Sequence, residues 1–250
     1  MSRPLKSLKW YRAMAGRKGR LESGAFLVEG ERAIQQIKTG RPDEIIEILA
    51  VDTPPAEYGE YPVRLITESQ FKHISSSRTP QGILAVVRQP EDIYGDLIPE
   101  SKGNKILLLE DVQDPGNTGT LIRTAAAFGF SGVILTEKGA DPLSPKCVQS
   151  TAGAILSLWI RRTNNYLQLA RSLKEKGYTI AAAELTGNAG PEVLKDREKI
   201  LLALGNEASG LSKTLTDMAD YRVQIPLARD KAESLNVAAC GAILMYLSSV

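Results

Sequence analysis

Residues 106–135 read ILLLEDVQDPGNTGTLIRTAAAFGFSGVIL, and this stretch decides the fold. The apolar run at 106–109 is typical of a strand that is buried on both faces. Turn-forming residues at 114–117 end this strand, and helix formers at 120–128, closed by Gly129, predict a helix. A second apolar run follows. The stretch therefore predicts a β-loop-α-β unit of a parallel sheet, with its loop at the edge where such sheets bind ligands.

The rest of the chain shows a similar alternation of strand and helix patterns, which is typical of an α/β protein. The predicted strands lie at 26–28, 45–51, 63–66, 82–87, 156–160, 179–183, 200–204 and 223–225. The predicted helices lie at 31–38, 68–74, 144–153, 166–176 and 235–247. The last helix contains a run without a polar face at 237–242, so we expect it to be buried on all sides or to lie at a subunit interface.

Three short motifs each follow a predicted strand. The first is NxGxxxR, formed by Asn117, Gly119 and Arg123. The second is LGNEASGL at 204–211, and the third is IPLARDKAESLNV at 225–237. In this interpretation Arg123 lies in the first turn of its helix, where a cation faces the positive end of the helix dipole. One such arginine alone could be an ordinary solvated side chain, but the two later motifs favour a functional role.

Together the three motifs resemble those of the SpoU (TrmH-like) family of S-adenosylmethionine-dependent RNA ribose 2′-O-methyltransferases, within the SPOUT superfamily. The resemblance implies an α/β catalytic domain with a parallel sheet and a C-terminal trefoil knot, and it implies a homodimer. The stretches at 26–30 and 79–87 resemble the small L30e-like α/β domain that precedes the catalytic domain in many members. We therefore expect an RNA-binding domain at 1–88, a linker at 89–104 and a catalytic domain at 105–250.

The resemblance implies a set of catalytic residues, namely Asn117, Arg123, Glu207, Ser234 and Asn236. An arginine side chain stays protonated near neutral pH, so we expect Arg123 to orient the ribose hydroxyl and a phosphate, with action as a base left open. Glu207 is expected to orient Asn117 or Arg123, although a surface glutamate in a turn is the simpler alternative. Asn236 lies too deep in its predicted helix for a simple N-cap, which favours a role in the site.

The ends of three predicted strands offer peptide groups and apolar edges that suit an adenine ring. The resemblance places S-adenosylmethionine there, next to Ala183, Glu184, Leu185, Leu204, Gly205, Asn206, Ile225, Leu227 and Leu235. Other nucleotide sites are weaker, because residues 205–212 match a P-loop except for its lysine, which is replaced by Leu211. No GxGxxG motif follows a predicted strand, so a dinucleotide site is also disfavoured.

The N-terminal segment is strongly basic. Residues 1–20 contain no acidic residue and seven basic ones, which are Arg3, Lys6, Lys9, Arg12, Arg17, Lys18 and Arg20. A run of charges is often only a solvated helix, but unopposed cations beside Trp10 and Tyr11 favour a polyanionic partner. We therefore expect this basic arm to bind RNA.

Composition sets the remaining limits. The chain has 250 residues, of which 43% are hydrophobic and 24% charged, and no run is long enough to span a membrane. The basic N-terminus lacks the apolar stretch of a secretory signal. Two distant cysteines, Cys147 and Cys240, and a single histidine, His73, disfavour a disulfide framework and a metal site. We expect a cytoplasmic protein without a metal.

The expected function is methylation of a ribose 2′-oxygen in RNA. Ribosomal (23S) RNA is the preferred substrate, and transfer RNA is the alternative. Base methylation in a related knotted fold would need catalytic residues other than NxGxxxR. A non-catalytic RNA-binding protein, such as a ribosome-assembly factor, is the alternative outside enzymes, and the intact set of motif residues argues against it.

Overall fold

The computed structural model describes residues 6–228 and 230–249. Its strands are β1 (Ala25–Glu29), β2 (Ile45–Ala50), β3 (Val63–Leu65), β4 (Ile83–Arg88), β5 (Lys105–Leu109), β6 (Gly132–Leu135), β7 (Trp159–Arg162), β8 (Thr179–Ala183), β9 (Ile200–Leu204) and β10 (Tyr221–Val223). Its α-helices are α1 (Leu8–Ala13), α2 (Arg17–Ser23), α3 (Glu31–Gly40), α4 (Glu68–Ile74), α5 (Pro115–Ala127), α6 (Pro145–Thr151), α7 (Tyr166–Glu175), α8 (Lys213–Met218) and α9 (Val237–Leu247).

The contacts divide the chain into two compact units. The first consists of Met1–Glu91 and Pro142–Ser157, and the second of Asp92–Asp141 and Leu158–Val250. The sequence predicted a first domain at 1–88, and the first unit of this division runs to Glu91. It did not predict that residues 142–157 return to the first unit.

The first unit is built on a four-stranded mixed sheet with the order β1-β4-β2-β3. Strands β1 and β2 pair antiparallel with β4, and β3 pairs parallel with β2. Its core includes Tyr11 and Met14, which are fully buried beside Phe71 and Leu84. The Tyr11 hydroxyl donates to Glu47 Oε2 at 2.7 Å. The basic segment is therefore part of the folded unit from α1 onward.

Arg20 is the clearest exception among the predicted RNA contacts. Only 2% of its surface is exposed, and its Nη1 donates to the carbonyls of Met14 at 3.0 Å and Ala15 at 3.1 Å. The prediction that Arg20 binds RNA is wrong, because its guanidinium is used inside the fold to hold the end of α1. The side chains of Lys6, Lys9, Arg12, Arg17 and Lys18 are exposed, whereas Arg3 lies outside the described residues.

Residues 142–157 complete the first unit. Helix α6 packs against β1, and a 3₁₀ turn at Ala154–Leu156 packs against α3. Gly153 precedes this turn with φ 92°, and an added Cβ would lie 2.5 Å from the Ala33 carbonyl oxygen, so only glycine fits. The strand predicted at 156–160 is therefore displaced, because the chain is still turning at Leu156 and β7 begins at Trp159.

The second unit is organised around a six-stranded parallel sheet with the order β10-β8-β9-β5-β6-β7. The parallel sheet predicted from the apolar runs is confirmed. The predicted linker at 89–104 is in large part a packed segment of this unit. The Arg161 side chain forms an ion pair with Asp92, and the Trp159 ring N–H donates to the Lys102 carbonyl at 3.0 Å.

Helix α5 begins earlier than the sequence predicted. Asp114 is its N-cap and accepts a hydrogen bond from the Asn117 N–H at 2.9 Å, while Pro115 occupies the first helical position. The residues predicted as a turn therefore form the first turn of the helix, because aspartate and proline also favour a helix start. Arg123 consequently lies in the third turn, so the argument from the helix dipole does not apply to it.

Helix α9 packs one face against α5. Gly241 lies at this contact, and a Cβ there would come within 2.3 Å of Leu121 Cδ2. The helix is not buried on all sides, since Ile243 is 39% exposed and Tyr246 52% exposed. Asn236 is its N-cap and accepts hydrogen bonds from the N–H groups of the first turn, so the prediction that it lies too deep for a cap is wrong.

The buried guanidinium of Arg20 leads to a stability prediction. Arg20→Met should lower the free energy of unfolding by about 2 kcal/mol, because two carbonyls would lose hydrogen bonds from a charged donor. Thermal and denaturant unfolding would measure the loss. Lys18→Met is the matched control, because Lys18 is exposed and forms only a surface ion pair with Glu22 at 3.8 Å. Equal stability of the two variants would contradict the structural role of Arg20.

Candidate active site

The three sequence motifs meet through a relay of side-chain hydrogen bonds. Asn117 Nδ2 donates to Glu207 Oε1 at 3.0 Å, and Asn117 Oδ1 accepts from Asn236 Nδ2 at 3.1 Å. Asn236 Oδ1 in turn accepts from the N–H groups of Ala238 at 2.8 Å and Ala239 at 3.4 Å. The N-cap of α9 is thereby connected, through the first turn of α5, to the segment that follows β9. The relay holds both the nitrogen and the oxygen of the Asn117 side-chain amide.

The Glu207 carboxylate is held by several donors at once. Besides Asn117, the backbone N–H groups of Gln113 at 3.2 Å and Asp114 at 3.5 Å donate to it. Burial alone would raise the pKa of the Glu207 carboxyl, but the hydrogen bonds from Asn117 and from the backbone together hold it below its ordinary value. The relay thus has its ionised acceptor at neutral pH and loses it only when acid titrates the lowered pKa.

Glu207 belongs to a loop at residues 205–212, called here the motif-two loop. Its start is closed by two backbone hydrogen bonds between Asn206 and Gly210, at 3.1 and 2.9 Å. Gly205 has no room for a side chain, because a Cβ would lie 2.3 Å from the Gly210 carbonyl carbon. Asn206 Oδ1 accepts from the N–H groups of Ala208 and Ser209. Asn206 therefore shapes the loop, and a direct cofactor contact by this residue stays a prediction.

Two of the predicted catalytic residues lie outside the relay. Arg123 is exposed in the third turn of α5, and Ser234 is exposed in the segment before α9. Within residues 6–228 and 230–249, neither side chain has a hydrogen-bond or ion-pair partner. The structure therefore brings Asn117, Glu207 and Asn236 together and leaves the Arg123 guanidinium with its full set of donors facing solvent.

The three predicted cofactor-binding strand ends are adjacent in the sheet. Val223 pairs with Ala183 across β10 and β8, Ala182 pairs with Ala203 across β8 and β9, and the Glu184 N–H donates to the Val223 carbonyl at 2.9 Å. Leu185 is 56% exposed, whereas Leu204 is buried. The remaining residues of the set are half-buried and comprise Ala183, Glu184, Gly205, Asn206, Ile225, Leu227 and Leu235. An accessible apolar edge thus lies beside peptide groups.

Two acidic residues that support the site were missed. Asp114 is the N-cap that places Asn117, and the pair Asp-Pro was a readable signal for it. Glu110 is only 3% exposed, and its Oε2 accepts from the Ser212 N–H at 2.6 Å, which fixes the end of the motif-two loop. An acid placed directly after a buried strand was the available signal for Glu110.

Among the described residues, no group of three His, Cys, Asp or Glu side chains could hold a metal ion. None of the described helices is both long and apolar enough to cross a membrane.

Comparison with known proteins gives consistent results. The family model of the SpoU rRNA Methylase family matches residues 104–246, and that of the MRM3-like substrate binding domain matches residues 6–85. The chain is 32% identical over 244 residues to the 23S rRNA (guanosine(2553)-2'-O)-methyltransferase RlmP of Bacillus subtilis (strain 168), covering 96% of this chain and 94% of the relative.

Solved structures share the architecture over nearly the whole chain. The SpoU methyltransferase AviRb from Streptomyces viridochromogenes, in complex with the cofactor AdoMet, is 26% identical with a TM-score of 0.83, covering 97% of this chain and 96% of that one. The AdoMet-bound rRNA methyltransferase from Sinorhizobium meliloti is 28% identical with a TM-score of 0.80, covering 96% and 93%. With residues 104–246 matched by the family model and 96% of the chain matched by a relative at 32% identity, the chain belongs to the SpoU rRNA methylase family and is an RNA methyltransferase.

Proposed function

We propose that this enzyme methylates a ribose 2′-oxygen of ribosomal (23S) RNA, with S-adenosylmethionine, the methyl donor of its family, as cofactor. The observation that carries the proposal is the relay from Glu207 through Asn117 to Asn236, with Arg123 on the same helix as Asn117. The relationship to a 23S rRNA 2′-O-methyltransferase supports the choice of substrate. A ribosomal substrate also implies that the enzyme works in the cytoplasm.

The cofactor fits the strand ends described above. The exposed Leu185 and the half-buried Ile225 and Leu227 supply apolar surface for an adenine ring, and the neighbouring peptide groups supply donors and acceptors. The bound cofactor supplies an electrophilic methyl group on a sulfonium sulfur. The protein's task is then to align the ribose hydroxyl with that methyl group, since alignment contributes most to an in-line displacement.

The proposed role of Arg123 is to orient the reacting hydroxyl. Its exposed guanidinium is planar and can hold the 2′-oxygen and an adjacent phosphate oxygen at the same time. A guanidinium has no acceptor atom while protonated, so we assign the loss of the hydroxyl proton to solvent water, at a late stage of the reaction. The relay holds the Asn117 side chain and the start of α5 in place, and Arg123 projects from the same helix.

The first unit is proposed to bind the RNA substrate. Its exposed cations Lys6, Lys9, Arg12, Arg17 and Lys18 lie on or beside α1 and α2, and residues 6–85 match a substrate-binding domain model. An aromatic ring and an imidazole lie beside two of these cations. Lys6 Nζ lies 5.4 Å from the centre of the Trp10 ring, and an Arg12 guanidinium nitrogen lies 3.1 Å from His73 Nε2. An L30e-like fold for this unit belongs to the same proposal.

A homodimer and a C-terminal trefoil knot complete the proposal. Helix α9 leaves apolar surface exposed to solvent at Ile243 and Tyr246. Tyr246 also contacts the Phe128 ring at the end of α5, with ring centres 5.8 Å apart. A second subunit would cover this apolar face. The return of the chain after β10, which brings Asn236 to Asn117, is consistent with the knot of the family.

The role of Arg123 can be tested by substitution. Arg123→Lys should lower the rate of methyl transfer roughly tenfold to a hundredfold, because a point charge cannot hold two oxygens in a fixed geometry. Affinity for S-adenosylmethionine should stay near wild type. Arg171→Lys, at an exposed position of α7, is the control and should keep full activity.

The position of the methyl group on the RNA product is a separate test of the proposal. The methyl group should be found on a ribose 2′-oxygen of 23S RNA, where it protects the next phosphodiester from alkaline cleavage. Mapping of total RNA from cells with and without the gene would locate the nucleotide. Methylation of a base or of transfer RNA alone, or full activity of Arg123→Lys, would contradict the proposal.

The RNA-binding role of the first unit predicts a change in salt dependence. Lys9→Gln combined with Arg12→Gln should lower the log–log slope of RNA affinity against salt by about 1.4, at ~0.7 per phosphate contact. Cofactor affinity should not change. Deletion of the segment is unsuitable, because Tyr11 and Met14 belong to the core. The double variant Arg171→Gln with Lys176→Gln, in the second unit, is the control and should keep the wild-type slope. A wild-type slope in the variant that combines Lys9→Gln with Arg12→Gln would contradict the proposed phosphate contacts.

The dimer predicts a specific effect of charge on α9. Ile243→Glu should yield monomers with little activity, because a carboxylate on an apolar interface loses its hydration without a partner. Analytical ultracentrifugation would measure the change. Leu97→Glu is the matched control, since Leu97 is an exposed apolar residue elsewhere in the same unit, and this variant should remain dimeric. A wild-type protein that sediments as an active monomer would rule out the interface.

A further inference from the structure

Residues outside the three motifs hold the motif-two loop in place through hydrogen bonds. We propose that Thr136 and Asp111 are positioning residues for methyl transfer, which act by fixing the motif-two loop and, through it, the carboxylate of Glu207. The inference rests on the proposed function, because it concerns the same site. It extends that function to two residues that act through the motif-two loop.

Asp111 has an unusual backbone conformation. Its φ is 56°, in the left-handed region, which costs energy for residues other than glycine and persists only where neighbouring groups enforce it. Thr136 provides that constraint through a reciprocal pair of hydrogen bonds. The Thr136 hydroxyl donates to Asp111 Oδ1 at 2.6 Å, and the Asp111 N–H donates to Thr136 Oγ1 at 2.8 Å. Thr136 is buried directly after β6, the neighbour of β5 in the sheet.

The left-handed conformation directs the Asp111 carbonyl to the motif-two loop. This carbonyl accepts a hydrogen bond from Asn206 Nδ2 at 2.9 Å. The oxygen of the same amide, Asn206 Oδ1, accepts hydrogen bonds from the N–H groups of Ala208 at 2.9 Å and Ser209 at 3.0 Å. Glu207 lies within the segment that these bonds fold. A rotation of the peptide at Asp111 would therefore displace the carboxylate that holds Asn117.

The far end of the loop is fixed independently. Glu110 Oε2 accepts from the Ser212 N–H, and Glu110 Oε1 accepts from the Tyr166 hydroxyl, at 2.6 Å in each case. Burial, followed by the hydrogen bond to Glu110, raises the pKa of Tyr166 to about 12, so the hydroxyl stays protonated and continues to donate. Loss of the Thr136 hydroxyl should thus loosen one end of the loop without releasing it from the sheet.

A second buried threonine, Thr163, makes it possible to distinguish an effect on the position of the loop from an effect on stability. Thr163 is also buried at the end of a strand of the same sheet, directly after β7. Its hydroxyl donates to Asp96 and accepts from the Asn165 N–H at 2.8 Å, so its removal breaks hydrogen bonds of the same kind. None of these partners belongs to the motif-two loop. Thr163→Val should lower the melting temperature and leave turnover unchanged.

The experiment compares Thr136→Val, Thr136→Ser and Thr163→Val in the full-length enzyme. Thr136→Val should lower kcat about tenfold, because a displaced Glu207 no longer orients Asn117, while the KM for RNA changes little. Thr136→Ser keeps the hydroxyl and should restore kcat to within about threefold. Hydrogen exchange supplies a readout without activity: the amides of Gln113 and Asp114, which donate to Glu207, should exchange faster in Thr136→Val alone.

A second pair of variants covers a possible failure of Thr136→Val to fold. Asp111→Asn keeps a side-chain acceptor and tolerates the left-handed conformation, so it should retain activity. Asp111→Ala loses the acceptor and should lower kcat in the same manner as Thr136→Val. Wild-type kcat and wild-type amide exchange in Thr136→Val or Asp111→Ala would overturn the proposal. A wild-type enzyme without ribose methylation would instead overturn the proposed function, and the exchange measurement would still decide the role of Thr136.

Discussion

The hydrogen bond between Asn117 and Glu207 is the constraint on which the site depends. It joins side chains 90 residues apart, and the bond from Asn236 to Asn117 spans 119 residues. Fixing a polar side chain costs conformational entropy, and here that cost is met when the sheet and its helices fold, before any substrate arrives. The Glu207 carboxylate accepts from three N–H donors, and among residues 6–228 and 230–249 it is not paired with a cation. Arg123, on the same helix as Asn117, therefore remains available for the proposed contact with the RNA backbone.

The sequence predicted most of the second unit because its strands are buried on both faces. The bounds of β8 and β9 agree with the prediction, since apolar runs bounded by turn residues have few other interpretations. The start of α5 was misplaced because the same four residues, from Asp114 to Asn117, favour a turn in isolation and a helix start when capped. Only the cap from Asp114 to the Asn117 N–H separates these two outcomes, and the sequence does not show it.

The candidate site was predictable in its residue types and not in its hydrogen bonds. The motifs identified Asn117, Glu207 and Asn236, but no local pattern shows that an N-cap asparagine also donates to another asparagine. Charge patterns had a similar limit, because an arginine that is buried against carbonyls, as Arg20 is, looks like its exposed neighbours in sequence. The left-handed φ of Asp111 depends on Thr136, which lies 25 residues later, and left no local signal.

The membership of residues 142–157 in the first unit has a consequence for biosynthesis. The chain crosses between the two units three times, after residues 91, 141 and 157, so the first unit is not a finished segment when residue 91 has been translated. Its strand β1 and helix α3 must wait for α6 and the following 3₁₀ turn, by which time β5, α5 and β6 have already left the ribosome. At synthesis rates of about 5–20 residues per second, this delay lasts several seconds. Folding of the first unit during synthesis is therefore tied to the arrival of two of the six strands of the parallel sheet, and a translational pause before residue 145 would leave β1 without its contact to α6.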